Sequence, residues 1–120
     1  MTGECILRKA QDWTSAVAAS STFKALGPAV QHVHIKDTRI DPQAVALGGV
    51  LDTTAPRSIA DKPWAFRTIG HGHDALWWRG FVDALRTVGY DGPLSIENED
   101  ELMPATEGVR KAVEFLRDII

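Results

Sequence analysis

The chain has 120 residues and a mass of 13.1 kDa, with 44% hydrophobic and 24% charged residues, the composition of one ordinary soluble domain at most. A closed (β/α)8 barrel takes about 250 residues and does not fit this length. With 13 Lys+Arg against 16 Asp+Glu, the formal net charge is -3 and there is no basic run, which excludes counterion-release binding to nucleic acid as a main activity.

The lone cysteine, Cys5, excludes an internal disulfide and a multi-cysteine zinc cluster. It fits a reducing compartment, so a cytoplasmic location is expected. Glu4, Arg8, Lys9 and Asp12 break up the apolar residues of the N-terminal segment, so no signal peptide is read there. No stretch approaches the ~20 apolar residues of a membrane span.

In chain order, a first helix is expected over roughly Trp13 to Leu26, stopped by Gly27-Pro28. A strand follows at His32-Val33-His34-Ile35-Lys36, whose alternation puts Val33 and Ile35 on one face and His32, His34 and Lys36 on the other. Between Thr38 and His73 lies a long connection carrying Gly48, Gly49, Pro56, Pro63, Gly70 and Gly72. Connections longer than ~15 residues are seldom idle, so it reads as an active-site loop bearing Trp64, Phe66 and Arg67. A second helix is read from Trp77, Trp78, Phe81, Val82, Leu85 and Val88, with Asp74 as N-cap and Gly89 as stop. Gly80 within it costs about 1 kcal/mol relative to Ala. After the turn Tyr90-Asp91-Gly92, the segment Pro93-Leu94-Ser95-Ile96-Glu97 alternates as a second strand. The last helix has Val109, Ala112, Val113, Leu116, Ile119 and Ile120 on one face and Pro104 at its first turn. Strand, helix, strand, helix is the order of a parallel α/β sheet with right-handed crossovers.

In such sheets the reactive groups stand at the C-terminal ends of the strands. His34-Ile35-Lys36-Asp37 and Glu97-Asn98-Glu99-Asp100 both fall there. An imidazole and a carboxylate on neighbouring strands are half of a mixed N/O site for a divalent metal, and a working site takes three or four protein ligands. Plainer readings stand beside this one: His34 as a hydrogen-bonded strand residue, and the acidic run from Glu97 to Glu101 as a solvated turn that complements the last helix. A separate reading gathers His32, His34, His71 and His73 into a four-histidine hydrolytic metal site.

The runs His32 to Thr38, Trp64 to Gly72 and above all Gly89 to Asp100 resemble the C-terminal part of the sugar phosphate isomerase/epimerase family. These are xylose-isomerase-like TIM barrels, which also include endonuclease-IV-type enzymes. The resemblance covers residues 23–120, whereas residues 1–22 do not look like the family. It implies the fold of a partial (β/α)8 barrel: parallel strands seven and eight, with flanking helices, the last closing the barrel. It implies one divalent metal, with Mn, Mg, Co and Zn not distinguished, bound by a Glu, an Asp, a His and a second Glu. His34 matches the histidine ligand; Glu97 matches the last glutamate, both ligand and catalytic acid/base. Lys36, Asp37 and Arg67 fall where family members line the substrate pocket, and Trp64 is read as a substrate contact because aromatic faces stack on sugar rings.

The family's Asp opens an Asp-x-x-His motif ahead of the His-x-Lys-Asp strand. Here Asp12 is followed three residues later by Ser15, so two of the four ligands are not matched. The implied chemistry is proton transfer through an enediolate beside the carbonyl of a sugar or sugar phosphate, giving isomerisation or epimerisation. Taken alone, two parallel strands would expose unpaired edges, so a fragment of this kind is expected to associate. The alternative is a non-catalytic α/β module that oligomerises or binds a partner.

Overall fold

The computed structural model describes residues 16–52 and 58–120. These form a mixed α/β architecture divided into two compact units. Among the described residues no helix is long and apolar enough to cross a membrane.

The first unit takes the described residues up to Val33 together with Ala75–Leu94 and Ile119–Ile120. Helix α1 spans Ala16–Leu26 and ends in a 3-10 turn at Gly27–Ala29. The expected start of this helix, at residues 13–15, lies outside the described residues. Helix α3, Ala75–Thr87, packs on α1, with Phe23 meeting Phe81 edge to face at 5.2 Å. Trp78, Val82 and Leu85 recur at helical spacing and are buried, so the apolar stripe read from the sequence is the packed face. Asp74 directly precedes α3 and Gly89 follows its end with φ 79°. The Gly89 N–H donates to Arg86 O and the Tyr90 N–H to Leu85 O, the paired bonds of a Schellman stop. The Tyr90 hydroxyl then donates to Pro93 O at 2.7 Å, closing the turn that launches the next strand.

The second unit takes His34–Asp74, where described, and Ser95–Asp118. Strand β1 is Val33–Ile35 and strand β4 is Leu94–Ile96; they pair side by side and parallel. The Glu97 N–H extends the pairing to Ile35 O at 2.9 Å. Ile35 is buried and His34 exposed, the alternation expected of β1. Helix α4, Ala105–Arg117, buries Gly108, Ala112 and Leu116. Val109 is instead 43% exposed. Ala112, Leu116 and Ile119 of the expected face are buried, and at the start of the helix Gly108 takes the packed position in place of Val109. Gly108 is what lets the helix come close: a Cβ there would stand 2.6 Å from the Asn98 amide and 2.9 Å from Thr68 Oγ1.

The long connection is structured. It holds strand β2 (Asp37–Ile40), helix α2 (Pro42–Gly48) and strand β3 (Trp64–Arg67). Strands β2 and β3 pair antiparallel with Asp37 opposite Arg67 and Ile40 opposite Trp64. Asp41 caps α2 by accepting from the N–H groups of Gln43 and Ala44, while Pro42 occupies the first turn. Arg39 donates to Ile59 O at 2.6 Å and tethers the far arm of the connection.

Candidate functional site

The second unit's parallel strands place like-numbered side chains on one face, two residues apart along each strand. His34 and Lys36 leave β1 on that face, and Glu97 and Glu99 follow β4 in step with them. The result is two rungs: His34 Nδ1 to Glu97 Oε1 at 2.6 Å, and Lys36 Nζ to Glu99 Oε2 at 2.8 Å. His34 and Glu97 are half-exposed, with side-chain accessibilities of 59% and 49%. The His34 hydrogen bond, helped by the charges of His34 and Lys36, holds the Glu97 carboxyl below its ordinary range against a smaller desolvation effect.

Strand β3 adds an aromatic wall. The Lys36 ammonium sits 3.7 Å from the centroid of the Phe66 ring. Trp64 meets Phe66 edge to face at 5.1 Å and anchors its Nε1–H on Val50 O. Trp64 remains 37% exposed.

Three residues beyond each rung-forming residue, His34 and Glu97, stands a buried carboxylate, Asp37 after His34 and Asp100 after Glu97. Asp37 accepts from the N–H groups of Gly70, Gly72 and His73 and from His73 Nδ1 at 2.7 Å. Asp100 accepts from the N–H groups of Thr68 and Leu102 and from Arg67 Nε. Burial pushes both carboxyls up, but these donors outweigh it and hold both below the ordinary value. The segment Thr68 to His73 is thereby fastened at both ends, and Thr68 and Ile69 are themselves buried.

Of the residues singled out from the sequence, His34, Glu97 and Lys36 come together, and Trp64 joins them through Phe66. Asp37 and Arg67 do not share that face. The resemblance implies a substrate contact for Asp37, but the structure commits this fully buried carboxylate to the Thr68 to His73 loop. Arg67 holds Asp100. Phe66, Glu99 and Asp100 belong to the site or its frame; the sequence puts Phe66 on the active-site loop and Glu99 and Asp100 at the end of the second strand, but assigns none of them a role. The shared spacing of His34-x-x-Asp37 and Glu97-x-x-Asp100 is a signal in the sequence that could have found Asp100.

Among the described residues no three or more His, Cys, Asp or Glu side chains group to hold a metal ion. This corrects the four-histidine reading: His73 is spent on Asp37, and His71 lies exposed on the loop. The pair His34 and Glu97 does fit half of a mixed N/O set. His34 Nδ1 and Glu97 Oε1, now 2.6 Å apart, would be the two atoms that hold the ion, in place of the hydrogen bond they share. Both side chains are half-exposed, so the pair is accessible from solvent.

A family model described as Xylose isomerase-like TIM barrel matches residues 5–119. Its match begins ahead of residue 23, where the motif resemblance starts. A Bacillus subtilis (strain 168) protein described as "Uncharacterized protein YfiH" is 37% identical over 97 residues. The aligned part is 81% of this chain and 31% of that protein, so the chain spans under a third of the relative it matches.

Proposed function

Because this chain belongs to the xylose isomerase-like TIM barrel family, we propose that it carries half of the metal centre of an isomerase or epimerase acting on sugars or sugar phosphates. In this reading β1 and β4 are the seventh and eighth strands of a (β/α)8 barrel. His34 and Glu97 are two of four metal ligands, and the remaining Glu and Asp come from outside the described residues. When bound, a divalent ion supplies Lewis-acid polarisation of the sugar carbonyl.

The described residues supply one half of the acid/base pair and part of the substrate pocket. Glu97 Oε1 is occupied by His34, and its other oxygen has no partner among the described residues, so Oε2 is the atom that takes the proton from the carbon beside the carbonyl. Return of a proton to the neighbouring carbon gives isomerisation; epimerisation needs a proton delivered to the opposite face, which in this reading comes from the second Glu, outside the described residues. Lys36 stabilises the oxygen on which negative charge develops. The exposed Trp64 ring offers an apolar face for the C–H side of a sugar.

The observation that carries this proposal is the 2.6 Å contact between His34 Nδ1 and Glu97 Oε1 at the ends of two neighbouring parallel strands. The test is deuterium incorporation from D2O at the carbon next to the carbonyl, followed by NMR with a panel of aldoses, ketoses and their phosphates in the presence of Mg2+ or Zn2+. Exchange that Glu97→Gln abolishes supports the reading; exchange that survives this substitution contradicts it. Association through strand edges belongs to the same proposal, and light scattering of the purified chain checks it: a monomer at all concentrations speaks against it.

A further inference from the structure

Lys36 is held more tightly than a half-exposed lysine has any structural need to be. Its ammonium donates to Glu99 Oε2 at 2.8 Å and stands 3.7 Å above the Phe66 centroid, and the side chain is 26% exposed. A lysine ammonium carries three N–H donors. One goes to Glu99 and the ring attracts the cation from another side, while the Lys36 charge also acts on the Glu97 carboxyl. Phe66 is fixed in turn by the edge of Trp64, whose indole N–H is pinned to Val50 O. Glu99 follows Glu97 by two residues, so the strand that presents the acid/base also presents the lysine's anchor.

We infer that Phe66 and Glu99 are positioning residues that fix the Lys36 ammonium beside Glu97, leaving one N–H directed at a substrate oxygen. This deepens the proposed function and rests on it for the substrate. A free lysine loses rotamer entropy each time it engages a ligand, whereas one clamped between a ring and a carboxylate has already lost it. The ring suits this task because it attracts the cation without consuming a hydrogen-bond donor. Removing either support therefore lets the ammonium wander without removing its charge.

The test is proton NMR of the Lys36 ε-methylene in the 120-residue chain, with thermal melting as the control for folding. A ring 3.7 Å from Nζ shifts those protons upfield of the other lysines. The upfield offset is expected in the wild type and in Phe66→Tyr, which keeps the ring, and is lost in Phe66→Leu. Glu99→Ala is expected to shrink the offset, and Glu99→Gln, which keeps an acceptor, to restore most of it. A wild-type Lys36 resonating among the other lysines overturns the inference, as does an offset that persists in Phe66→Leu with the fold intact. Because the readout needs no turnover, failure of the sugar-isomerase reading leaves a positive result standing, and a negative result here leaves that reading untouched.

Discussion

The Asp37 carboxylate stands 2.7 Å from His73 Nδ1, with the backbone N–H groups of Gly70, Gly72 and His73 around the same two oxygens. One fully buried side chain thus sets the path of the loop that follows β3. Replacing it strands several donors in a site closed to water, a loss in the range of broken buried ion pairs. Asp37→Ala is expected to lower stability by about 3–5 kcal/mol in urea unfolding. A loss under about 1 kcal/mol would show that the loop does not depend on this carboxylate.

Asp37 and Asp100 also set how the chain responds to acid. Both carboxyls are held below their ordinary value in the folded state. A depressed carboxyl contributes stability that is fully present above the unfolded value, about 3.9, and is lost as pH falls through the lower folded value. The stability profile is therefore expected to fall steeply below about pH 4. Asp100→Asn should reduce stability at neutral pH and flatten that acid limb; an unchanged limb would contradict the assignment.

Two glycines separate steric from backbone effects. A Cβ on Gly72 would stand 2.5 Å from Asp37 Oδ1 and 2.7 Å from Thr38 O, a backbone atom that cannot swing aside. Gly72→Ala is expected to cost on the order of 3 kcal/mol through forced displacement of the loop. Gly89 meets nothing within 4 Å but sits at φ 79°, so Gly89→Ala should cost only about 1–2 kcal/mol, with Gly89→Asn milder. Differential scanning calorimetry of the three variants would show that order, and equal losses at both sites would refute it.

Much of this was legible in the sequence where burial and periodicity agree. His34 and Ile35 alternate on a strand half of which is buried, and Trp78, Val82 and Leu85 repeat on a helix with one packed face. The strands β2 and β3 were not legible, because Asp37 to Ile40 and Trp64 to Arg67 are short and pair across a wide sequence gap that no local pattern records. Helix α2 left a signal in Asp41-Pro42, an N-cap followed by a first-turn proline, that was read as part of a loop. In the site, the motif resemblance implies roles for His34, Lys36 and Glu97, and the fold brings the three side chains to one face. It could not separate the buried Asp37 from the partly exposed lysine beside it, since both sit in one motif and only the fold decides which reaches water. Phe66 stands out in the sequence as an aromatic of the connection, but its role depends on the Lys36 ammonium, 30 residues away in the chain, being brought over its ring, 3.7 Å from the centroid.

Isothermal titration of the purified chain with Mn2+ or Zn2+ tests the central claim most directly, because it asks whether His34 and Glu97 act together on one ion. The account predicts weak binding at one site, abolished by His34→Ala and by Glu97→Ala and unchanged by His71→Ala. Tight binding of one ion per chain, or affinity that survives His34→Ala and Glu97→Ala but falls with His71→Ala, would contradict it.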